Sequence, residues 1–188
     1  GGDTLWASGY EAYDRLSPSL RAYLETLSAV HNADRFKEIA AQRGDNLRLN
    51  RGSPENNDTS LTTVHPVIRT NPVTGWKSLF VNRGFTKRIL GVTLDESRVL
   101  LDYLFRLVHD NHDLQVRFRW ERYAQGEGGD VALWDNRSVF HTATDDYIET
   151  KGVRLGDRAV SLGERPFLDR QAKSRREDLG LPAFERVY

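Results

Sequence analysis

The chain has 188 residues, with 27 Lys plus Arg against 27 Asp plus Glu, for a formal net charge of zero. That length supports one domain with its own core, and the balanced charge argues against a general nucleic-acid or anionic-membrane binder, which would carry a basic excess or stripe. No apolar run approaches a membrane span, and the lack of any cysteine excludes disulfides, thiolate metal sites and thiol catalysis.

No signal peptide is visible at the start, so a cytoplasmic location is expected. The chain contains no Met and opens on Gly1-Gly2. Two readings of that start stand side by side: a trimmed terminus, or a longer N-terminal part ahead of Gly1.

Asp3 to Trp6 reads as a short strand. Ser8 followed by Glu11 fits a capping box, in which each residue bonds the other's backbone N–H. Ser17-Pro18 fits an N-cap with proline at the first helical position. Leu20, Tyr23, Leu24 and Leu27 then follow at helical spacing, which predicts a helix from about Pro18 to Val30.

Residues 41–60 are polar and rich in turn formers, which predicts a loop, either a solvated insertion or a lid. Thr62–Arg69 and Trp76–Asn82 are β-rich and separated by turn chemistry, which predicts a hairpin. Thr93 with Glu96 makes another capping box ahead of Val99, Leu100, Tyr103, Leu104, Leu107 and Val108. That pairing predicts an amphipathic helix.

Gln115–Glu121 alternates, with Val116, Phe118 and Trp120 on one face and Arg117 and Arg119 on the other. Gly126–Asp130 reads as a turn. Val131–Trp134, Ser138–His141 and Arg158–Leu162 read as further short strands. Residues 169–180 are charged and read as a solvated tail or helix. Strands dominate, two helical stretches interrupt them, and no βαβ alternation appears. The fold class is therefore mainly β with helical insertions, a sandwich or barrel.

Five histidines are present. His31, His65, His109 and His112 fit structural roles, the last two at a helix end where an imidazolium complements the dipole. His141 stands apart. It ends a strand that follows Trp134-Asp135-Asn136-Arg137, and Arg154 and Arg158 lie beyond it, four residues apart. An imidazole can ligate a metal, and a guanidinium can hold an anion in a bidentate fork.

Gly1-Gly2-Asp3-Thr4-Leu5-Trp6, the run from His65 to Gly75, the run from Leu79 to Thr86, and Trp134 to Arg137 with His141 together resemble the taurine dioxygenase family. These are iron(II)- and 2-oxoglutarate-dependent oxygenases. The blocks cover nearly the whole chain in the same order. Gly163–Phe167 and Lys173–Glu177 are similar to fungal members.

The resemblance implies a double-stranded β-helix, a jelly-roll relative, forming a single domain across residues 1–188 and incomplete at its N-terminus. It implies His141 as the distal metal-binding histidine. The remaining ligands in the family are a His-x-Asp pair upstream of the Gly-Gly-Asp-Thr block, and no His-x-Asp occurs in this sequence. It implies Thr4 and Arg154 as partners of the far carboxylate of 2-oxoglutarate, with Lys151 a weaker competitor. Arg158 is implied to face the prime substrate's anionic group, and Phe85 to line its pocket.

The reaction so implied consumes molecular oxygen, converts 2-oxoglutarate to succinate and carbon dioxide, and hydroxylates a small anion such as an alkyl sulfonate. A homo-oligomer is compatible with the family. The alternatives are a non-catalytic anion-binding β-domain and a structural module whose helix from Leu94 to Val108 meets a partner.

Overall fold

The computed structural model describes residues 2–47, 59–120, 129–147 and 154–184. Its first strand, β1 (Thr4–Ser8), leads directly into helix α1 (Gly9–Asp14). Ser8 caps α1 by accepting from the Glu11 amide at 3.1 Å. Only this half of the expected box forms, because the Glu11 carboxylate faces Arg15 and Arg176 instead. Gly9 allows close packing where α1 begins. Its N–H donates to the Ser138 carbonyl at 2.7 Å, and a Cβ there would lie 2.4 Å from the Ser78 hydroxyl.

Helix α2 (Pro18–Leu24) starts at the Ser17 cap with proline in its first turn. It stops six residues before the sequence expectation of Val30. Leu27 faces the core from a turn, and β2 (Ser28–Asn32) follows as an extended segment. The same apolar spacing that reads as one helix is satisfied by a helix, a turn and a strand, because β2 gains ladder partners on both edges. Helix α3 (Arg35–Gln42) comes next. Most of the expected lid lies outside the described residues.

The expected first strand of the hairpin divides at Val67. β3 (Thr62–Pro66) pairs antiparallel with β2, whereas β4 (Ile68–Thr70) pairs with β5 (Lys77–Leu79) across the Asn71–Gly75 turn. β6 (Thr86–Ile89) covers the other edge of β2. Helix α4 (Leu94–His109) carries the full Thr93–Glu96 capping box and buries Leu101, Leu104 and Val108. β7 (Gln115–Phe118) and β8 (Val139–Ala143) then flank β1, giving the sheet order β7-β1-β8. The second sheet has the order β3-β2-β6.

Residues 131–134 and 158–162 are not strands. Extended segments become strands only when a neighbour accepts their backbone bonds, and no described strand pairs with either. The expected turn at Gly126–Asp130 falls largely outside the described residues. The charged C-terminal stretch forms a short helix, α5 (Arg175–Asp178), with a full capping box of its own. It is held rather than solvated: Arg176 pairs with Glu11 at 2.7 Å, and Lys77 donates its backbone N–H to the Lys173 carbonyl.

The core joins the sheets to α1 and α4 through Ala7 of β1 and through Ala12, Leu24, Ala29, Val67, Ile68 and Leu104, the last six fully buried. The observed class is mainly small antiparallel sheets with helices, as the sequence predicts. Among the described residues no helix is long and apolar enough to cross a membrane.

Candidate functional site

Strand register brings the predicted residues together. Directly opposed residues in an antiparallel pair lie on the same face, and so do residues two apart along a strand. Trp6 on β1 opposes His141 on β8, and Thr4 opposes Phe118 on β7 and Ala143 on β8. Thr4, Trp6 and His141 therefore share one face of the β7-β1-β8 sheet. Ala7 and Phe140 point through the opposite face into the core.

One end of this face is a cluster of donors around Thr4. The Arg154 Nε donates to the Gly2 carbonyl at 2.8 Å, and its terminal nitrogen reaches the Thr4 hydroxyl at 3.5 Å. The Trp120 indole N–H donates to that hydroxyl at 2.9 Å. Gly2 is fixed in turn by its own N–H, which donates to Asp146 at 3.0 Å. Arg117 bridges Asp146 and Asp3. The Thr144 hydroxyl, the Gly2 N–H and Arg117 hold the Asp146 carboxyl well below the usual carboxylate range. A locked carboxylate and a bridging guanidinium thus hold the loop over which Arg154 lies.

His141 occupies the middle of the face. Its ring lies 5.1 Å from that of Trp134, centroid to centroid. The side chain is open to solvent on one side, and partial desolvation by its neighbours, followed by the positive charge of Arg158, pushes its pKa below the usual histidine value. Both causes favour neutral imidazole, the form that can ligate a metal. Arg158 is itself exposed. Lys151 lies outside the described residues.

Phe85 lies in the turn just ahead of β6. Its ring stacks on Phe36 at 6.0 Å, and it lines a cavity of about 340 Å³ that Phe140 and His141 also line. That cavity is also lined by His31 and His65, with ring centroids 5.4 Å apart, and by Phe80, stacked on His31. Burial, then the proximity of His65, brings the His31 pKa down to about 4. The sequence reading gave neither histidine a place at this cavity, because β2 and β3 become neighbours only through tertiary pairing.

The five predicted site residues thus fall into two connected groups. Thr4 and His141 share one sheet face, Arg154 reaches Thr4 and Arg158 acts on His141 through its charge, while Phe85 lines a cavity that His141 also lines. The sequence reading assigned no role in the site to Gly2, Asp146 or Trp120. The signal for Trp120 was its alternation with Phe118, which puts it on the Thr4 face.

The donor set for a metal is incomplete. Among the described residues no group of three His, Asp or Glu side chains could hold a metal ion, and a single imidazole does not bind iron(II) usefully. The cluster of donors around Thr4 is the better furnished part of the site.

Residues 1–159 match the model of the taurine catabolism dioxygenase TauD, TfdA family, and the chain belongs to that family. It is 46% identical over 179 residues to an alpha-ketoglutarate-dependent dioxygenase of Penicillium shearii, covering 95% of this chain and 46% of that one. It is 38% identical over 169 residues to an alpha-ketoglutarate-dependent sulfonate dioxygenase of Saccharomyces cerevisiae, covering 90% of this chain and 37% of that one. The crystal structure of a taurine dioxygenase from Burkholderia xenovorans superimposes with a TM-score of 0.61 at 34% identity, covering 80% of this chain and 44% of that one. The shared architecture is the jelly roll of these dioxygenases. The chain spans about half the length of the relatives it matches.

Proposed function

We propose that the whole protein is an iron(II)- and 2-oxoglutarate-dependent dioxygenase that hydroxylates a small anionic substrate such as an alkyl sulfonate. The observation that carries this reading is the convergence of Thr4 and Arg154 at one end of the His141 face. A hydroxyl and a guanidinium side by side suit a carboxylate, because the guanidinium supplies charge and the hydroxyl a directed donor. Family membership and the names of the relatives support it.

In this reading Thr4 and Arg154 bind the far carboxylate of 2-oxoglutarate. With the far carboxylate held there, the rest of 2-oxoglutarate would lie along the face toward His141, which would be one ligand of the iron that supplies the oxidising chemistry. The described residues do not fit iron by themselves, so their tasks are binding and orientation. Arg158 offers its charge to the anionic group of the prime substrate. Phe85, Phe80 and the neutral His31–His65 pair give that substrate's remaining part a largely apolar, water-poor wall. Sulfonate, sulfate ester and carboxylate are all anions that Arg158 can hold.

The test is anaerobic addition of iron(II) and 2-oxoglutarate to full-length protein. A visible metal-to-ligand charge-transfer band is expected from the chelate, followed by sulfonate-dependent succinate release when oxygen is admitted. Absence of the band would overturn the reading and leave a non-catalytic anion-binding domain as its replacement.

A further inference from the structure

We infer that Trp120 is a positioning residue that fixes the Thr4 hydroxyl as a hydrogen-bond donor toward the cosubstrate's carboxylate. This rests on the proposed cosubstrate role of Thr4. A hydroxyl has one proton and two lone pairs, and its proton normally rotates to suit its neighbours. The Thr4 oxygen receives the Trp120 indole N–H at 2.9 Å and the Arg154 guanidinium at 3.5 Å. Neither partner has an acceptor: indole N–H and guanidinium groups only donate. The two donors occupy the lone pairs of the oxygen, and its proton can go to neither of them.

Thr4 is buried, so bulk water is a poor alternative partner. The proton is thereby reserved for an incoming acceptor, and a carboxylate is an acceptor only. A hydroxyl left free to rotate would have to be ordered on binding, and pre-setting it removes that cost. The indole is itself held in place. Its ring meets Phe118 edge-on at 4.9 Å, and the alternation of β7 continues to place it on the Thr4 side. Arg154 donates its Nε to the Gly2 carbonyl, so its terminal nitrogen arrives from a fixed direction.

The experiment is a double-mutant cycle on full-length protein, reading the Kd of 2-oxoglutarate from the anaerobic iron(II) charge-transfer band. The variants are Trp120→Phe, Thr4→Val and the pair. Trp120→Phe deletes the N–H and keeps an aromatic ring. It is expected to weaken 2-oxoglutarate roughly three- to tenfold, the range of one neutral hydrogen bond. The KM of the prime substrate and kcat at saturating 2-oxoglutarate should stay near wild type, a split that general loosening of the fold would not give. In the Thr4→Val background the Trp120→Phe effect should vanish, because there is no hydroxyl left to orient.

An unchanged Kd in Trp120→Phe, or an effect that persists in full beside Thr4→Val, would overturn the inference while leaving Thr4 as the carboxylate partner. An unchanged Kd in Thr4→Val would overturn the cosubstrate assignment and the inference together. If Trp120→Phe fails to fold, Trp120→benzothienylalanine replaces the N–H by sulfur at nearly constant shape and carries the same expectations.

Discussion

Arg154 lies across the α-carbon of Gly2: its Nε bonds the Gly2 carbonyl at 2.8 Å, and a Cβ on Gly2 would sit 2.9 Å from the Arg154 Cδ. Gly2 also has φ +78, in the region that L side chains rarely adopt. Gly2→Ala therefore meets two obstacles at once. The backbone is strained by about 1–2 kcal/mol, and the arginine must move off the Thr4 hydroxyl. We expect 2-oxoglutarate to bind roughly tenfold more weakly, equivalent to about 1.4 kcal/mol. Titration of the anaerobic iron(II) complex measures this, and wild-type affinity would show that the Arg154 position does not depend on Gly2.

The two arginines should separate kinetically. Arg154 reaches Thr4, whereas Arg158 bears on His141 from an exposed position. Arg154→Ala should raise the Kd of 2-oxoglutarate on the order of tenfold to a hundredfold, as for loss of a charged hydrogen bond. Its effect on the prime substrate should be small. Arg158→Ala should raise the KM of an anionic prime substrate while leaving the 2-oxoglutarate Kd near its original value. Steady-state kinetics with each substrate varied in turn decides between this division and a shared role, in which both constants move together in both variants.

How much of this was legible in the sequence depended on how local the cause is. Helix α4 was readable because the Thr93–Glu96 box and the apolar stripe are both properties of adjacent residues. The β4–β5 hairpin was readable from its turn. The helix expected to reach Val30 was not, since its last third is claimed by partners at residues 62–66 and 86–89, remote in sequence. Residues 131–134 and 158–162 have the composition of strands but no described neighbour to pair with. For the site, the sequence motifs marked Thr4, His141 and both arginines one by one. That Thr4 and His141 share a face follows from register alone. The alternation placed Trp120 on a strand face but gave it no role, because its partner is a single hydroxyl 116 residues away.

His31 should make stability depend on pH. In the fold its pKa is about 4, against about 6.5 in an unfolded chain. Above about pH 6.5 neither state binds the proton, and the contribution of His31 to stability is fully present. As pH falls from about 6.5 toward 4, the unfolded state takes up a proton that the folded state refuses, so stability is lost. At about 1.4 kcal/mol per pH unit the loss approaches about 3 kcal/mol. His65, also shifted downward by burial, acts in the same direction. Urea unfolding at a series of pH values should show this decline, and His31→Asn should flatten it. An equally steep slope in the variant would assign the proton uptake elsewhere.

Glu164 ties the cavity wall to the core through two guanidiniums. It accepts from Arg69 on β4 at 2.5 Å and from Arg137, which lines the cavity, at 3.2 Å. Arg69 is 4% exposed, its Nε has no hydrogen-bond partner among the described residues, and it lies over the Phe80 ring at 4.9 Å. Burial lowers its pKa, while the Glu164 carboxylate opposes that shift. Removing the carboxylate therefore leaves a buried charge poorly compensated, the costly way to break such a pair. Glu164→Ala should destabilise the protein by about 2 kcal/mol, below the usual 3–5 kcal/mol for a wholly buried pair because Glu164 is itself 30% exposed. Arg69→Met in the same chain should recover much of the loss, since an apolar side chain of similar length suits the space over Phe80. Thermal unfolding of the two single variants and the double variant supplies the comparison. If the double variant lost the sum of the two single losses, Arg69 and Glu164 would not be acting as a pair.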